Sequence, residues 1–411
     1  MQFFGFFFAA ELQIFWLFAI VRRNSDRIQE FIVYLQRILD LPKLMEPKSH
    51  FLFGPRQTGK TRLIKVAFDN QYPIIDLLKT ATYLRLEQAP WQLEDMLPKD
   101  APIAIIDEIQ RIPILLNEIH RLIEERGTKF LLTGSSARKL KRAHANMLGG
   151  RAWKAELFPL VSAEIIDFNF SRYLLYGGLP SVYLSENPAD ELAGYIGTYL
   201  NDEIKAEAVV RNLPVFIKFL TAAALGSGQV INYNKFASDL QVSPHTIKEY
   251  YSILEDTLLG FTVPAFSKTI KRKAISSNKF YLFDLGVRNF LCEIKDIPPK
   301  TEIFGDVFEH FILLELRAYL SYYKKRLDLC FWRTINHQEV DFIIGDELAI
   351  EIKATDHITT KHLKNLNLLR EEEVCKKYLM VCLDQSLYER DGIRIYHWRD
   401  FLQQLWEGKI I

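Results

Sequence analysis

The chain has 411 residues, 49% of them hydrophobic and 25% charged, which excludes a wholly disordered or collagen-like polymer and, at this length, points to two or three domains. Fifty-two Lys and Arg against 51 Asp and Glu leave a formal charge of +1, so any nucleic-acid binding must come from local patches. The four cysteines, Cys292, Cys330, Cys375 and Cys382, include no C-x-x-C pair, which argues against a zinc ribbon or a disulfide framework and for a reducing cytoplasm.

Residues 1–21 are the one membrane-like stretch. Residues 3–10 and 14–21 are apolar, but Gln2, Glu11 and Gln13 interrupt them. A central glutamate costs a spanning helix about 2–3 kcal/mol. Arg22 and Arg23 would hold the rest of the chain on the cytoplasmic side if the segment inserts. No basic residue precedes the apolar run, so it is a poor secretory signal. The segment reads as an N-terminal or peripheral membrane anchor, as a helix packed on the body, or as residues upstream of the natural start.

Ser49–Phe53 reads as a short buried strand. Gly54-Pro-Arg-Gln-Thr-Gly-Lys-Thr61 follows, and residues 62–68 continue with helical spacing. G-x-x-x-x-G-K-T therefore sits in a strand–loop–helix context. Along Gly54, Pro55, Arg56, Gln57, Thr58 and Gly59, backbone amides and the helix N-terminus would cradle the phosphates of ATP. Lys60 would bridge the β- and γ-phosphates, and Thr61 would hold Mg2+ through its hydroxyl. Residues 101–107 form an apolar strand ending in Asp107-Glu108. Asp107 is the second Mg2+ candidate, and Glu108 the residue that orients or deprotonates water. An acid pair opening a helix would look the same. Residues 112–126 read as an amphipathic helix and 129–132 as a third strand, with Thr133-Gly-Ser-Ser136 at its tip. Thr133, then Ser135, is the candidate to sense the γ-phosphate, beside the plainer reading of a polar turn. Arg138 and Arg151 are candidate γ-phosphate or inter-subunit arginines. Strand–helix alternation around a P-loop implies a parallel sheet covered on both faces, with ligand at the carboxyl ends of its strands.

From residue 162 the pattern turns mostly helical. Gly177-Gly-Leu-Pro180 is a turn or hinge, and residues 182–225 supply helices for a lid over the nucleotide. Residues 235–240, a turn and residues 245–254 give helix-turn-helix spacing. Ser243 is the cap, and Ala237, Leu240, Val242, Ile247 and Leu254 are the packing positions. Two lysines face four acids between residues 230 and 259, the wrong balance for a helix that grips DNA. Structural or protein-binding use fits better. The basic run Lys268, Lys271, Arg272 and Lys273 reads as a nucleic-acid wing or a solvated loop.

The last third places a helix at 307–320, opened by Gly305-Asp-Val-Phe-Glu-His310. Strands follow at 327–333, 339–344 and 348–353, then a helix at 357–371 and a strand at 378–382. Residues two apart share a strand face, so Glu351 and Lys353 point together, with Asp341 across a hairpin and Glu309 added from the helix. Asp341 and Glu351 would bind Mg2+ or Mn2+ by oxygen ligation, and Lys353 would orient or deprotonate water. Ordinary solvent-facing alternation is the competing reading. Glu309 and the element order favour a nuclease-type site.

The stretch from about residue 41 to residue 411 resembles a family of bacterial and archaeal AAA-type P-loop ATPases. These carry a C-terminal domain of unknown function similar to the PD-(D/E)XK nuclease fold. The resemblance is carried by GPRQTGKT (54–61), IIDEIQR (105–111), LLTGSSARKL (131–140), LGGRA (148–152) and GGLP (177–180). Further matches are KFYLFDLG (279–286), GDVFEH (305–310), EVDFII (339–344) and IEIKA (350–354). It implies an α/β chain with a parallel-sheet P-loop NTPase domain at 22–160, a helical lid and winged-helix-like region at 161–285, and a restriction-endonuclease-like domain at 286–411. Residues 1–21 stand outside the pattern. The resemblance further implies ATP at Lys60 and Thr61, Mg2+ and hydrolysis at Asp107 and Glu108, and assembly into a homo-oligomer. Two expectations follow. One is an ATP-hydrolysing machine coupled to a metal-dependent nuclease acting on DNA. The other is an ATP-driven switch whose nuclease-like domain only binds a protein or nucleic-acid partner.

Overall fold

The computed structural model describes residues 34–68, 71–136, 148–205, 210 and 212–411, and divides the chain into Met1–Gln36 and Arg37–Ile411. The apolar stretch 1–21 and Arg138 lie outside the described residues. Among the described residues, no helix is long and apolar enough to cross a membrane.

The second unit opens with α1 (Leu41–Met45), capped by the Asp40 side chain. Then come β1 (Ser49–Phe53), α2 (Lys60–Phe68), β2 (Ile74–Asp76), α3 (Thr80–Gln88), β3 (Ile103–Asp107), α4 (Leu115–Arg126), β4 (Lys129–Gly134) and β5 (Ala152–Glu156). The five strands are all parallel, in the order β2-β3-β4-β1-β5. β1 is buried throughout and β4 at all but its first residue, as strands covered on both faces must be. This is a P-loop NTPase-type sheet. Its order sets β4 between β1 and β3, so the three sequence motifs end side by side with Thr133 in the middle.

The middle of the chain holds α5 (Phe170–Tyr176), α6 (Pro180–Leu184), α7 (Pro188–Thr198), α8 (Leu213–Leu225), α9 (Tyr233–Leu240), α10 (Pro244–Asp256), β6 (Gly260–Val263), β7 (Lys279–Leu282) and α11 (Leu285–Leu291). One core runs through it. Ala237, Ile247 and Leu254 are buried there, and Leu240 and Val242 pack against it. Asn232 and Ser243 cap α9 and α10 through their side chains, and β6 pairs antiparallel with β7.

The Gly177–Pro180 segment is a pinned turn, not a free hinge. Asp284 caps α11, and its Oδ2 accepts the Gly178 N–H at 2.8 Å. The Leu160 N–H donates to the Gly178 carbonyl at 2.7 Å. Gly177 has φ +75°, and a Cβ there would lie 2.2 Å from Asp284 Oδ1. Burial pushes the Asp284 carboxyl up to about 6, against the pull of the N–H groups donated to it.

The last region comprises α12 (Glu302–Tyr322), β8 (Leu329–Arg333), β9 (Glu339–Ile344), β10 (Leu348–Lys353), α13 (Thr360–Arg370), β11 (Lys377–Cys382), β12 (Tyr388–Arg390), β13 (Ile393–His397) and α14 (Trp398–Trp406). Its separate sheet has the order β12-β13-β11-β10-β9-β8. β8, β9 and β10 form an antiparallel meander, and β11 runs parallel to β10. β12, β13 and α14 extend the α-β-β-β-α-β run read from the sequence. α12 packs on β10, and Leu363, Leu366 and Leu369 of α13 share a core with Ile343, Ala349 and Met380. The basic run at 268–273 is not a free wing. Arg272 pairs with Glu371 and Glu372 beyond α13, and the Lys271 N–H donates to Glu372 at 2.8 Å.

Gly177→Ala forces an L side chain into the left-handed region and against Asp284. It should lower unfolding stability by about 2–3 kcal/mol, read as a lower urea midpoint. Gly194→Ala in α7, where an added Cβ meets nothing within 4 Å, should show no such loss.

Candidate functional site

The first constellation lies at the carboxyl ends of β1, β3 and β4. Past β1 the chain turns at Gly54, where a Cβ would stand 2.5 Å from the Leu157 carbonyl oxygen. Gly59, with φ +93°, leads into α2. Thr58 is buried, and its Oγ1 donates to the Pro55 carbonyl at 2.9 Å, closing the loop on itself. Lys60 Nζ donates to the carbonyls of Gly54 at 2.7 Å and Pro55 at 3.0 Å. Ser181 at the start of α6 reaches the same loop, donating to Gln57 Oε1 at 3.0 Å.

Thr61 Oγ1 donates to Asp107 Oδ2 at 3.0 Å. Thr133 Oγ1 donates to Asp107 Oδ1 and accepts the Glu108 N–H at 3.0 Å. Glu108 has left-handed backbone angles, φ 62° and ψ 46°, which turn it out of the line of β3. Its Oε2 accepts from Gln110 Nε2 and, at 3.4 Å, from Ser135 Oγ. Lys60, Thr61, Asp107, Glu108, Thr133 and Ser135 are thus brought together, with Gln110 a member the sequence reading missed. The Thr61 hydroxyl and Asp107 carboxylate form a pair of hard oxygen donors that fits Mg2+. Arg151 does not join them. Ser49 at the start of β1 pairs with Ala152, so Arg151 sits at the amino end of the sheet, where it bonds Glu124. It cannot reach a γ-phosphate held by its own chain.

The second constellation lies on the C-terminal sheet. The β9–β10 ladder runs to Phe342 opposite Ile350. Beyond it, Asp341 Oδ2 accepts the Ile352 N–H at 2.7 Å, so a carboxylate takes up the next rung. Lys353 Nζ lies 2.7 Å from Glu351 Oε1 and 3.9 Å from Asp341 Oδ2. Glu309 comes from α12 but is held by other partners. Tyr281 Oη donates to Glu309 Oε1 at 2.8 Å, and Lys279 Nζ lies 3.3 Å from the same oxygen and 2.6 Å from Glu339 Oε1. His310, next to Glu309, is structural: it is buried on the Leu282 carbonyl at 2.7 Å, and burial lowers its pKa to about 3.

Burial is the main cause of the titration behaviour here. It raises Glu351 to about 8, helped by Asp341 and opposed by Lys353. It raises Glu309 to about 7, opposed by Lys279. Burial works to lower Lys279 and Lys353, but the facing carboxylates outweigh it and hold both ammonium groups charged. Lys279, Tyr281 and Glu339 were missed in the sequence. Lys279 and Tyr281 belong to the KFYLFDLG motif, which carries no spacing signal toward Glu309. Asp341 and Glu351 fit a hard cation as a pair, and Glu351 Oε2 is buried without a hydrogen-bond partner. Among the described residues, no three His, Cys, Asp or Glu side chains gather closely enough to hold a metal. Glu309 is turned to Lys279 and Tyr281 instead.

Three family models match the chain. An AAA domain spans residues 46–166, a domain of unknown function (DUF8612) residues 167–297, and a second domain of unknown function (DUF4143) residues 304–401. An uncharacterized protein of Haemophilus influenzae is 27% identical over 327 residues, covering 73% of this chain and 77% of its own. The uncharacterized protein MJ1544 of Methanocaldococcus jannaschii is 27% identical over 340 residues, 74% of each chain. Among solved structures, the Walker-type ATPase PABY2304 of Pyrococcus abyssi aligns with 61% of this chain and 93% of its own, at 16% identity and a TM-score of 0.41. The ORC1 protein of Aeropyrum pernix, solved in complex with DNA, aligns with 65% of this chain and 95% of its own, at 15% identity and a TM-score of 0.26. The AAA match falls on the sheet that carries the P-loop, Asp107 and Thr133. The chain therefore has an AAA-type P-loop ATPase domain, and ATP binding is assigned to it.

The raised carboxyls give a pH dependence of defined sign. In the folded protein Glu309 and Glu351 keep protons that the unfolded chain releases near pH 4.5, so their contribution to stability falls as pH rises from there to about 8. In chelator-treated protein the urea midpoint should fall across that window. Glu351→Gln should flatten the upper part of the fall.

Proposed function

We propose that the protein hydrolyses ATP at the P-loop and cleaves phosphodiester bonds of DNA at a metal-dependent site on its C-terminal sheet. The observation that carries the first half is the hydrogen-bonded row Thr61–Asp107–Thr133–Glu108 across the tips of adjacent strands. Lys60 exchanges the Gly54 and Pro55 carbonyls for the β- and γ-phosphates, and the N–H groups from Arg56 to Thr61 surround them. Thr61 and Asp107 hold Mg2+, which when bound offsets phosphate charge. Glu108 orients the attacking water, while Gln110 and Ser135 fix its carboxylate. Thr133 holds Asp107 and the Glu108 backbone in one register.

For the second half, support comes from Asp341, Glu351 and Lys353 meeting on adjacent strands within the α12–β11 order, with Glu309 on the covering helix. Asp341 and Glu351 would hold Mg2+ or Mn2+, an ion that usually needs only one or two carboxylates and keeps several waters. When bound it supplies an activated water and offsets charge on the scissile phosphate. Lys353 orients that water and pairs with the phosphate. The 22–160, 161–285 and 286–411 division then assigns nucleotide chemistry, coupling and cleavage to successive regions.

One observation favours a second reading. Lys279 and Tyr281 already occupy Glu309, which leaves two carboxylates for a cation. On that reading the C-terminal sheet does not cut, and the protein is an ATP-driven switch that engages a protein partner through the winged-helix-like α9–α10 face.

Glu108→Gln should bind ATP at nearly native affinity and hydrolyse it at least about 100-fold more slowly in a phosphate-release assay. Normal turnover would move the catalytic role elsewhere. With labelled DNA, ATP and Mg2+ or Mn2+, cleavage should appear with the native chain and vanish in Asp341→Ala. ATP turnover without cleavage by the native chain would favour the switch.

A further inference from the structure

Arg37 lies outside every motif read in the sequence, yet its buried guanidinium makes several hydrogen bonds beside the P-loop. Nη1 donates to the Thr58 carbonyl at 2.8 Å. Nε pairs with Glu164 Oε2 at 2.9 Å, with both side chains almost fully buried. Nη2 donates to the Phe158 carbonyl at 2.6 Å and to Tyr322 Oη at 3.3 Å. Tyr322 ends α12, the helix that carries Glu309. Its hydroxyl also accepts the Phe158 N–H at 3.2 Å, and its ring packs edge-on against Phe158 with centroids 5.5 Å apart. One planar cation therefore joins the P-loop, the segment leaving β5, and the C-terminal helix.

The contact at Thr58 has a consequence for phosphate binding. In a trans peptide the C=O and the following N–H point to opposite sides. A Thr58 carbonyl held toward Arg37 turns the Gly59 N–H away from it. Gly59, at φ +93°, keeps that orientation without steric cost. Gly59 belongs to the loop whose amides would hold the phosphates. Fixing this peptide prepays part of the ordering that nucleotide binding requires.

We propose that Arg37 is a positioning residue that sets the P-loop for ATP, and that Tyr322 makes this setting depend on the seating of the C-terminal helix. The proposal rests on the ATP-binding reading of the P-loop. α12 is a single helix of 21 residues, and Tyr322 stands about 20 Å along it from Glu309. ATP at the P-loop and the C-terminal site are thereby linked through Arg37 and Tyr322, and by reciprocity each reports on the other.

The test uses the full chain as native protein, Lys60→Ala, Tyr322→Phe and Arg37→Lys. Tyr322→Phe keeps the ring against Phe158 and removes only the hydroxyl. Arg37→Lys keeps the charge beside Glu164 and loses the fork that reaches Thr58. Both should raise KM for ATP about fivefold or more while kcat changes little, with the melting temperature of Tyr322→Phe near native and that of Arg37→Lys lower. In the native chain, ATP should slow hydrogen exchange in residues 317–325, and in both variants this response should be lost. Native KM in Tyr322→Phe together with an unchanged exchange response would overturn the coupling. Failure of the native chain itself to bind ATP, with Lys60→Ala indistinguishable from it, would instead overturn the P-loop reading and the proposal with it.

Discussion

A charge taken out of water costs several kcal/mol unless it is paired and hydrogen-bonded, and this constraint decides how the three regions of the chain are joined. Each joint is a buried ionisable group whose partners come from elsewhere in the sequence. Asp284 takes the Gly178 N–H, so the GGLP turn is tied to the start of α11. Glu315 takes the Ser162 N–H and hydroxyl and the Trp406 indole N–H, which fixes α12 to the segment after β5 and to α14. Arg37 and Glu164 pair where that same segment passes the P-loop. Arg317 adds an ion pair to Glu156 at 2.8 Å and lies over the rings of Phe158 and Phe261. Two of these donors, the Gly178 and Ser162 N–H groups, are backbone amides of fixed direction, so those joints set an orientation as well as a contact.

The two constellations use the same constraint differently. At the P-loop one ammonium group, Lys60, is satisfied by two loop carbonyls, and a phosphate is a stronger partner for it than either. On the C-terminal sheet two lysines face four carboxylates, those of Glu309, Glu339, Asp341 and Glu351. Arg333 adds a third cation at Glu339, and desolvation retains protons on Glu309 and Glu351 above the ordinary carboxylate range. The Oε2 of Glu351 is buried without a hydrogen-bond partner.

What the sequence revealed follows from the range of the interactions involved. β1 and β3 were legible because strands buried on both faces must be apolar runs, and the P-loop because phosphate recognition by backbone needs glycine at set spacings. Glu351 and Lys353 were legible through the period of two. β2 and β5 escaped: β2 is three residues long, and β5 is only partly buried, with Trp153 and Lys154 exposed. Arg37 and Glu164 escaped because their pairing spans 127 positions and neither sits in a periodic pattern. Lys279 entered only as the first residue of the KFYLFDLG match. Its role appears only when β7 is laid beside α12. The pairing of Arg272 in the basic run at 268–273 was hidden because its acids, Glu371 and Glu372, lie about a hundred residues away.

α12 gives these joints a common mechanical sense. Thirteen of its 21 residues are buried, so it is packed along its length. Its amino-terminal half carries Glu309 to Lys279 and Tyr281, and its carboxyl-terminal half carries Glu315, Arg317 and Tyr322 to the segment after β5. That segment continues β5, whose partner is the P-loop strand β1. The two constellations are thus joined by a continuous run of packed elements. β5 lies at the edge, next to β1, so the strand that leads to α12 is also the neighbour of the strand that ends in the phosphate loop.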